Sequence, residues 1–252
     1  MKIKNLTLFA VILCFSAAAF GQSAKPEAKP EPKALPAASE IIANYVKAIG
    51  GRDAVQKISR RVATGTVELQ PMGVKGTFES IMAAPGKSYT KMKLAGIGEM
   101  LEGFDGTTSW SINPIQGSRE KTGAELLQVK LTNNFYRDIN LEKLYPKMEV
   151  KGIEKVGGNE AYVLTATPEG LGADTLYFDT KTGLLVRADS VLLSPEGNQN
   201  ATIFYEDHRN VDGVKLAYRV RTILSQMEIV MNIAEIKHGG EDKPELFQKP
   251  KI

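Results

Sequence analysis

The residues of this 252-residue chain that could do acid–base chemistry are concentrated in one short segment, Glu206-Asp207-His208. A histidine beside carboxylates could act as a general base in a hydrolytic reaction. Glu206 and Asp207 are adjacent, however, and adjacent side chains on a strand point to opposite faces of a sheet. The sequence also has no Gly-x-Ser-x-Gly turn to present a nucleophilic serine. We therefore predict that the protein is not an enzyme; a hydrolase that uses Asp105, Glu206, Asp207 and His208 is an alternative.

Metal, nucleotide and nucleic-acid sites have little support in the sequence. His208 and His238 are far apart, and the sole cysteine, Cys14, lies near the N-terminus, so zinc-ligand spacing is absent. The Gly-x-Gly segments at residues 96–98 and 170–172 do not open helices that could bind a phosphate. The 32 basic residues nearly balance the 29 acidic ones and are dispersed. No cofactor, no metal and no nucleic-acid partner is expected.

The first 21 residues have the layout of a secretory signal peptide. Lys2 and Lys4 precede an apolar run at residues 6–15, and small residues lead to a cleavage site after Gly21. This run is too short to serve as a stable membrane anchor. Cys14 lies inside it, and Leu13 stands where lipidation of that cysteine would require a small residue. We expect a periplasmic or secreted mature protein that has no cysteine and therefore no disulfide bond.

The remaining sequence predicts one folded domain between two polar segments. Residues 22–38 alternate lysine, glutamate, alanine and proline, so we expect an extended tether. The folded domain is expected at residues 39–238, where Ser39 is suited to cap a first helix. Residues 239–252 are polar and contain two prolines, which predicts a tail that lies over the surface.

Most of the domain alternates between β-type runs and turn residues. The clearest unit is the segment 176–190, where Asp179-Thr-Lys-Thr-Gly183 separates two runs rich in aromatic and β-branched residues. Several runs reach ten or eleven residues, which favours a strongly curved sheet over a flat sandwich. We predict a mainly β fold, a single curved antiparallel sheet that forms an incomplete half-barrel. Strands are predicted at residues 61–70, 74–84, 87–94, 99–104, 107–113, 148–156, 160–167, 174–178, 184–193, 201–208, 214–224 and 226–236.

A helical segment interrupts the strands. Residues 120–145 place apolar side chains at spacings of three and four, and Asn133-Asn134 should bend or break the helix. Such an insert has to lay its apolar face on the sheet. We therefore predict that helices cover the concave face. They could either fill that face completely or cover a cavity.

An apolar ligand surface remains as the candidate for function. Seven methionines remain, eight less Met1, and Met82, Met92, Met227 and Met231 fall at strand positions that should face inward. Methionine is flexible and suits surfaces that accept variable apolar shapes. An acyl chain gains about 0.8 kcal/mol per buried methylene, so a dry groove would hold a lipid firmly.

The order of these motifs resembles a known family. The segments YVKAIGGRDA (45–54), GFDGTTSW (103–110), LYFDTKTGL (176–184) and DHRNVDGV (207–214) are similar to exported bacterial proteins of the outer-membrane lipoprotein-sorting-protein-like family. That family is related in fold to the lipoprotein carrier LolA and its receptor LolB. The resemblance spans residues 39–236 and implies an incomplete β-barrel whose helix-covered concave face forms a pocket for acyl chains. Fold similarity does not establish the cargo.

We therefore predict an exported, monomeric, non-enzymatic carrier or binding protein that holds a lipid or lipoprotein acyl chain between the sheet and the helices. An envelope protein is a further candidate partner. The alternative is a structural or scaffolding protein of the cell envelope with a solid core. The predicted ligand-binding residues are the apolar ones expected to face the cavity: Phe78, Met82, Trp110, Ile112, Leu127, Leu131, Phe135, Leu216, Tyr218, Met227, Ile229 and Met231.

Overall fold

The computed structural model describes residues 34–241 and 243–250, and its helices and strands lie in one compact unit that begins at Leu35. The predicted signal peptide at residues 1–21 and most of the tether at 22–38 lie outside the described residues. Two helices open the unit, α1 (Ala38–Ala48) and α2 (Arg52–Gln56). Within the described ranges, none of the helices is both long enough and apolar enough to cross a membrane.

Strands make up most of the described chain, and two further helices, α3 (Gly123–Thr132) and α4 (Leu141–Leu144), separate the sixth strand from the seventh. The strands are β1 (Arg60–Gln70), β2 (Val74–Ala83), β3 (Lys87–Leu94), β4 (Gly98–Phe104), β5 (Ser109–Asn113), β6 (Gly117–Lys121), β7 (Lys147–Val156), β8 (Asn159–Thr167), β9 (Asp174–Asp179), β10 (Leu185–Leu192), β11 (Gln199–Val211), β12 (Val214–Leu224) and β13 (Met227–His238).

All these strands form one antiparallel sheet in the order β6-β5-β4-β3-β2-β1-β13-β12-β11-β10-β9-β8-β7. Strands that follow each other in sequence pair with each other, except β6 and β7, which do not pair. The one further pairing joins β1 to β13. That one long-range pairing joins an N-terminal and a C-terminal meander into a continuous sheet. β6 and β7 remain as free edges, so the sheet does not close into a barrel. The predicted mainly β fold with an incomplete antiparallel barrel is confirmed.

The predicted hairpin at residues 176–190 is confirmed, and its turn chemistry is visible. The Oδ1 atom of Asp179 accepts hydrogen bonds from the backbone N–H groups of Lys181 at 3.0 Å and Thr182 at 2.7 Å. Gly183 has a φ of +73°, and an added Cβ there would lie 3.2 Å from the carbonyl oxygen of Asn44 in α1. Glycine is therefore required both by the backbone conformation and by the approach of the helix.

The first helix differs from the prediction at its start. The N-cap position is Ala37, which makes no side-chain cap, and Ser39 lies inside the helix, so the predicted capping role of Ser39 is wrong. The helix is held by packing instead: Tyr45 contacts Phe178 with ring centroids 5.2 Å apart. Its C-terminal end is pinned by a hydrogen bond from the Lys215 N–H to the Ile49 carbonyl at 2.9 Å.

The predicted helix at residues 120–145 is wrong at its beginning, because β6 occupies Gly117–Lys121. This edge strand has the sequence GSREK, so it lacks the apolar alternation by which a strand is recognised. It exists because its backbone pairs with β5. The expected break at Asn133-Asn134 is confirmed, since α3 ends at Thr132 and a 3₁₀ turn follows at Arg137–Ile139.

The cover over the concave face, which we define as α3, the 3₁₀ turn and α4, is anchored mainly by its second half. The backbone N–H of Phe135 donates to the carbonyl of Pro85 at 3.0 Å. Phe135, Ile139, Leu141 and Tyr145 are all buried in the main core. The second half of the cover is therefore a fixed part of the core.

Helix α3, in contrast, buries no residue completely and is attached by polar contacts. Arg119 of β6 makes a bidentate pair with Glu125, with N···O distances of 2.7 and 2.6 Å. The Gln128 side-chain amide donates to the Val191 carbonyl at 2.7 Å and accepts from the Leu193 N–H at 3.0 Å. Because α3 has no buried side chain to hold it against the sheet, we expect it to be the part of the cover that lifts most easily.

The C-terminal segment is more firmly attached than a polar tail would be. Its 3₁₀ turn at Pro244–Phe247 buries Phe247, which is 1% exposed. The indole Nε1–H of Trp110 donates to the Phe247 carbonyl at 2.9 Å. The tail thus lies over the surface, as predicted, but a buried aromatic side chain and a buried hydrogen bond fix it there.

Replacing Gly103 with alanine should disrupt this contact. An added Cβ would lie 2.3 Å from ring atoms of Trp110, the cross-strand partner of Gly103. We expect Gly103→Ala to displace the ring and to lower the free energy of unfolding by roughly 1–3 kcal/mol, as overpacked sites do. Trp110 is the only tryptophan, so its emission in a denaturant titration measures both effects.

The matched control is Gly172→Ala, since a Cβ at that position meets nothing within 4 Å. It should unfold close to the wild-type midpoint with wild-type emission. Equal midpoints and identical spectra for the two variants would show that Trp110 does not pack on Gly103.

Candidate functional site

Cross-strand pairing determines which side chains share the concave face of the sheet. Arg61 pairs with Met82 of β2, and Ala63 pairs with both Ser80 of β2 and Ile236 of β13. These five residues line one cavity of about 250 Å³ between the sheet and the helices, which we term the inner cavity. Its lining also includes Tyr45, Arg137, Asp138, Tyr205, His208 and Lys215.

Arg137 enters the inner cavity from the cover. Its Nη2 donates to the Tyr145 hydroxyl at 2.9 Å, and that hydroxyl donates to the Asp174 carboxylate at 2.8 Å. Its Nε is buried and has no hydrogen-bond partner among the described residues. Burial alone would lower the pKa of Arg137, but Tyr145, Tyr205 and Asp138 together leave it raised. This guanidinium is therefore charged, held on one side and unsatisfied on the other.

Arg61 enters the same cavity from the sheet. Its guanidinium carbon lies 5.5 Å from the centroid of the Phe135 ring, within the range of a cation–π contact. Its Nε atom is also buried without a partner in the described part of the chain. Burial lowers the pKa of Arg61, and the neighbouring Asp138 and Tyr45 oppose this shift. Arginine nevertheless remains charged in proteins.

Two tyrosines and one histidine complete the polar part of the cavity. Burial raises the pKa of Tyr205, and burial together with Asp138 raises that of Tyr45, so both phenols keep their protons. Burial and the positive charge of Lys215 lower the pKa of His208, which favours its neutral form. The lining of the cavity therefore contains three basic side chains, those of Arg61, Arg137 and Lys215, and the single carboxylate of Asp138.

An apolar surface adjoins the inner cavity on the same face of the sheet. Val67, Phe78 and Leu94 are buried at its floor, and none of the described helices contributes to it. Ala63 and Ile233 contact this surface and also line the inner cavity, so the two regions are continuous. We term this surface the apolar groove; its half-buried walls include Leu69, Val74, Met92, Met100, Ile229 and Met231.

A second cavity, of about 390 Å³, lies under α3. It is more polar, since its lining includes Asp174 and the ion pair between Lys121 and Glu102 at 3.3 Å. Arg137 lines both cavities. The concave face is therefore not uniformly apolar. Its polar and apolar parts are separated along the strands.

The structure brings together several of the predicted ligand-binding residues. Met82 and Leu216 line the inner cavity. Phe78, Ile229 and Met231 belong to the apolar groove. Binding of a ligand by these five residues remains a prediction.

Trp110 and Ile112 lie on the opposite face of the sheet, so their predicted place in the cavity lining is wrong. Trp110 pairs with Gly103, and Gly103 in turn pairs with Tyr89. This row runs across the outer face, where the rings of Tyr89 and Trp110 lie 6.4 Å apart. The physical reason is strand register. Alternation shows that Trp110 and Ile112 lie on one face of β5, but whether that face is the concave one depends on the four strand pairings from β1 to β5.

The other predicted residues lie outside the cavity and the groove or at their margins. Leu127 is 43% exposed on α3, and Leu131 lines a small third cavity of about 240 Å³. Phe135 is buried beneath Arg61, and the Tyr218 ring carries the Arg209 guanidinium 4.4 Å from its centroid. Met227 is the first residue of β13 and pairs with Leu224 of β12.

The polar residues of the site, of which Arg61 and Arg137 are the most important, are not among the residues predicted from the sequence. A signal for Arg61 was present, because it shares the alternation phase of Ala63, Val67 and Leu69 on β1. A charged residue in the apolar phase of a strand is unusual and indicates a buried ionic role. Arg137 gives no comparable signal, since it lies in an irregular turn.

Of the residues of the alternative hydrolase, His208 lines the inner cavity, whereas the three carboxylates are each engaged by other groups. Asp105 accepts hydrogen bonds from its own turn, and Glu206 is paired with Arg219 and Arg221. Asp207 is exposed and pairs with Arg209. Within residues 34–241 and 243–250, no three histidine, cysteine or acidic side chains are close enough together to hold a metal ion.

No family model and no curated protein matches this sequence. Solved structures do match the fold. A DUF1329 family protein from Desulfovibrio piger superposes with a TM-score of 0.58 at 14% identity, over 83% of this chain and 96% of that one. A LolA superfamily protein from Nitrosomonas europaea gives 0.56 at 13% identity, over 85% and 99% of the two chains.

A domain described as an outer membrane lipoprotein-sorting protein, from Vibrio parahaemolyticus, gives a TM-score of 0.50 at 12% identity, over 83% of this chain and 94% of that one. At such identities the similarity establishes the fold alone. The resemblance indicated by the hairpin motifs is confirmed at that level: this chain has a LolA-like fold.

Proposed function

We propose that this protein is an exported carrier or binding protein, not an enzyme, that holds the acyl chain of a lipid or lipoprotein against the concave face of its sheet. The observation that carries the proposal is the apolar groove and its continuity with the inner cavity through Ala63 and Ile233. Export rests on the predicted signal peptide. The cavities argue against the solid core of the scaffolding alternative.

The dimensions of the groove suit an acyl chain. On β13, Ile229 marks the groove and Ile236 lines the inner cavity, so the apolar path between them is about 23 Å long at the usual rise of a strand. The hydrocarbon depth of one bilayer leaflet is about 15 Å, half of the whole hydrocarbon core. An extended chain of membrane-lipid length therefore fits along this path.

The side chains of the groove also suit such a ligand. Met92, Met100 and Met231 are half-buried, so a bound chain would remove further apolar surface from water. Each buried methylene contributes about 0.8 kcal/mol. Methionine adapts to chains of different length and shape without a fixed pocket geometry.

The interior space in this arrangement is small for a ligand with several acyl chains. The inner cavity of about 250 Å³ lies below the roughly 300–1,000 Å³ typical of small-molecule sites. Lifting α3 would open the neighbouring cavity. Because no side chain of α3 is buried, we expect this movement to cost little free energy. Two of the solved structures with this fold are described as a LolA superfamily protein and a lipoprotein-sorting protein, which supports a lipoprotein as one class of cargo.

Replacing Met231 with glutamine should weaken acyl-chain binding about tenfold. The two side chains are similar in size, but a bound chain would leave the amide without hydrogen bonds, which costs roughly 1–3 kcal/mol. Titration with a fluorescent fatty acid measures the effect. The control, Asn232→Gln, lies on the same strand and is exposed, and it should bind like the wild type. Equal affinities for both variants would place the ligand elsewhere.

Replacing Gln128 with alanine should speed ligand exchange several-fold. The substitution removes both hydrogen bonds between α3 and the segment at Val191 and Leu193, so α3 should open more often. Stopped-flow fluorescence of fatty-acid association and displacement gives the rates. Lys130→Ala, an exposed site on the same helix, serves as the control. Unchanged rates in Gln128→Ala would rule out α3 as the gate.

A further inference from the structure

We propose that Arg61 and Arg137 bind the acidic head group of the ligand, so that the protein selects amphiphiles that carry a carboxylate or a phosphate. This inference rests on the proposed function, because it assumes that an apolar chain occupies the groove. It goes beyond that function by assigning the inner cavity to the head group and by specifying its charge.

The two arginines approach the inner cavity from opposite sides. Arg61 belongs to β1, near the middle of the sheet, and Arg137 belongs to the 3₁₀ turn of the cover. Both line the same cavity, so a head group held there would lie between the sheet and the cover. Each arginine has a buried Nε–H group with no hydrogen-bond partner in the described residues. A buried, unsatisfied N–H group is costly, and a ligand acceptor would remove that cost.

The charges that line the cavity favour an anion. Arg61, Arg137 and Lys215 are positive, whereas Asp138 is the only carboxylate in the lining. His208 also lines the cavity, but an imidazole is either neutral or positive and so cannot offset the charges of these three basic side chains. Asp174 does not neutralise Arg137 directly, because the hydroxyl of Tyr145 lies between them. Asp138 balances only one of these three charges, so a negative group delivered by a ligand would be stabilised by the excess positive charge.

The geometry of the donors points to a carboxylate or a phosphate. A guanidinium presents its N–H groups as a planar fork that matches two oxygens of such a group, unlike the single ammonium of lysine. The protonated hydroxyl of Tyr205 lies in the same lining and can supply a further donor. A hydroxyl or ester head group offers no charge to this set of donors and would bind less tightly.

The position of the arginines relative to the groove determines the orientation of the ligand. Arg61 lies at one end of β1, and Val67 and Leu69 lie further along the same face toward the groove. A head group at Arg61 therefore directs the chain away from α1 and along Ala63, Ile233 and Met231. The cavity and the groove together are complementary to one amphiphilic molecule.

Binding of four probes to the wild-type protein tests the inference: hexadecanoate, hexadecyl phosphate, hexadecanol and inorganic phosphate. We expect the two anionic amphiphiles to bind at least about tenfold more tightly than hexadecanol, as a charge-assisted hydrogen-bond pair requires. The ratio between hexadecanoate and hexadecyl phosphate distinguishes a fatty acid from a phospholipid as the source of the head group. Inorganic phosphate should bind much more weakly than hexadecyl phosphate.

Two variants locate the effect. Arg61→Gln and Arg137→Gln should each lower the affinity for hexadecanoate about tenfold and leave the affinity for hexadecanol within about twofold. The control is Arg60→Gln, which removes the same charge from the neighbouring position on the outer face, where Arg60 donates to the Gly239 carbonyl. It should leave both affinities unchanged.

Each failure has its own signature. If none of the amphiphiles binds to the wild type, the proposed function is wrong. If hexadecanol binds as tightly as hexadecanoate, the protein still binds acyl chains but the head-group inference is overturned. Inorganic phosphate that binds as tightly as hexadecyl phosphate would show a site for a free anion and would also overturn it. These comparisons use the wild-type protein, so they decide the question even if an arginine variant does not fold.

Discussion

The pairing of β1 with β13 is the interaction on which the rest of the structure depends. It is the one place where the sheet joins strands that are distant in sequence, and without it the two meanders would be separate sheets. Each half would then expose a long edge of unpaired backbone N–H and C=O groups. The inner cavity and the apolar groove both lie along this seam, since Ala63 pairs with Ile236 and Val67 pairs with Met231 across it. The site thus exists only when the chain's two halves have met.

The cover over the concave face consists of a buried part and a part that is not buried. The fixed part of the cover buries Phe135 and Tyr145 in the main core, beside the buried side chains of α1. The other part, α3, is attached through Glu125 and Gln128 and leaves polar space beneath it. The buried part of the cover and α3 are therefore different segments. We expect that α3 can lift without unfolding of the buried part.

The local parts of the fold could be predicted from the sequence because their causes are local. The hairpin at Asp179 and Gly183 depends on a carboxylate that bonds its own turn and on a glycine with positive φ. The long strands depend on alternation that is visible in a single run. Edge strand β6 could not be recognised, since its pairing uses only backbone groups and its side chains carry no pattern.

Long-range features could not be predicted for a different reason. The face on which Trp110 lies depends on the register of every strand between β1 and β5, and one error in phase reverses it. The burial of Phe247 depends on its meeting that same tryptophan from more than a hundred residues away. The polar site depends on Arg61 and Arg137 meeting across a cavity, although only Arg61 occupies a strand position where its charge is conspicuous. The apolar half of the candidate site was accessible from the sequence, whereas the cationic half required the tertiary arrangement.

An incomplete barrel has a consequence for the behaviour of the protein among other chains. Its two free edges, β6 and β7, each offer a row of unpaired backbone groups, and such edges commonly nucleate aggregation. Both edges are heavily charged: β6 has the sequence GSREK, and β7 has the sequence KMEVKGIEKV with a bulge between Val150 and Gly152. A second chain that paired there would have to desolvate these charges. Charges and a bulge on the two free edges therefore make an open sheet a poor template for fibre growth.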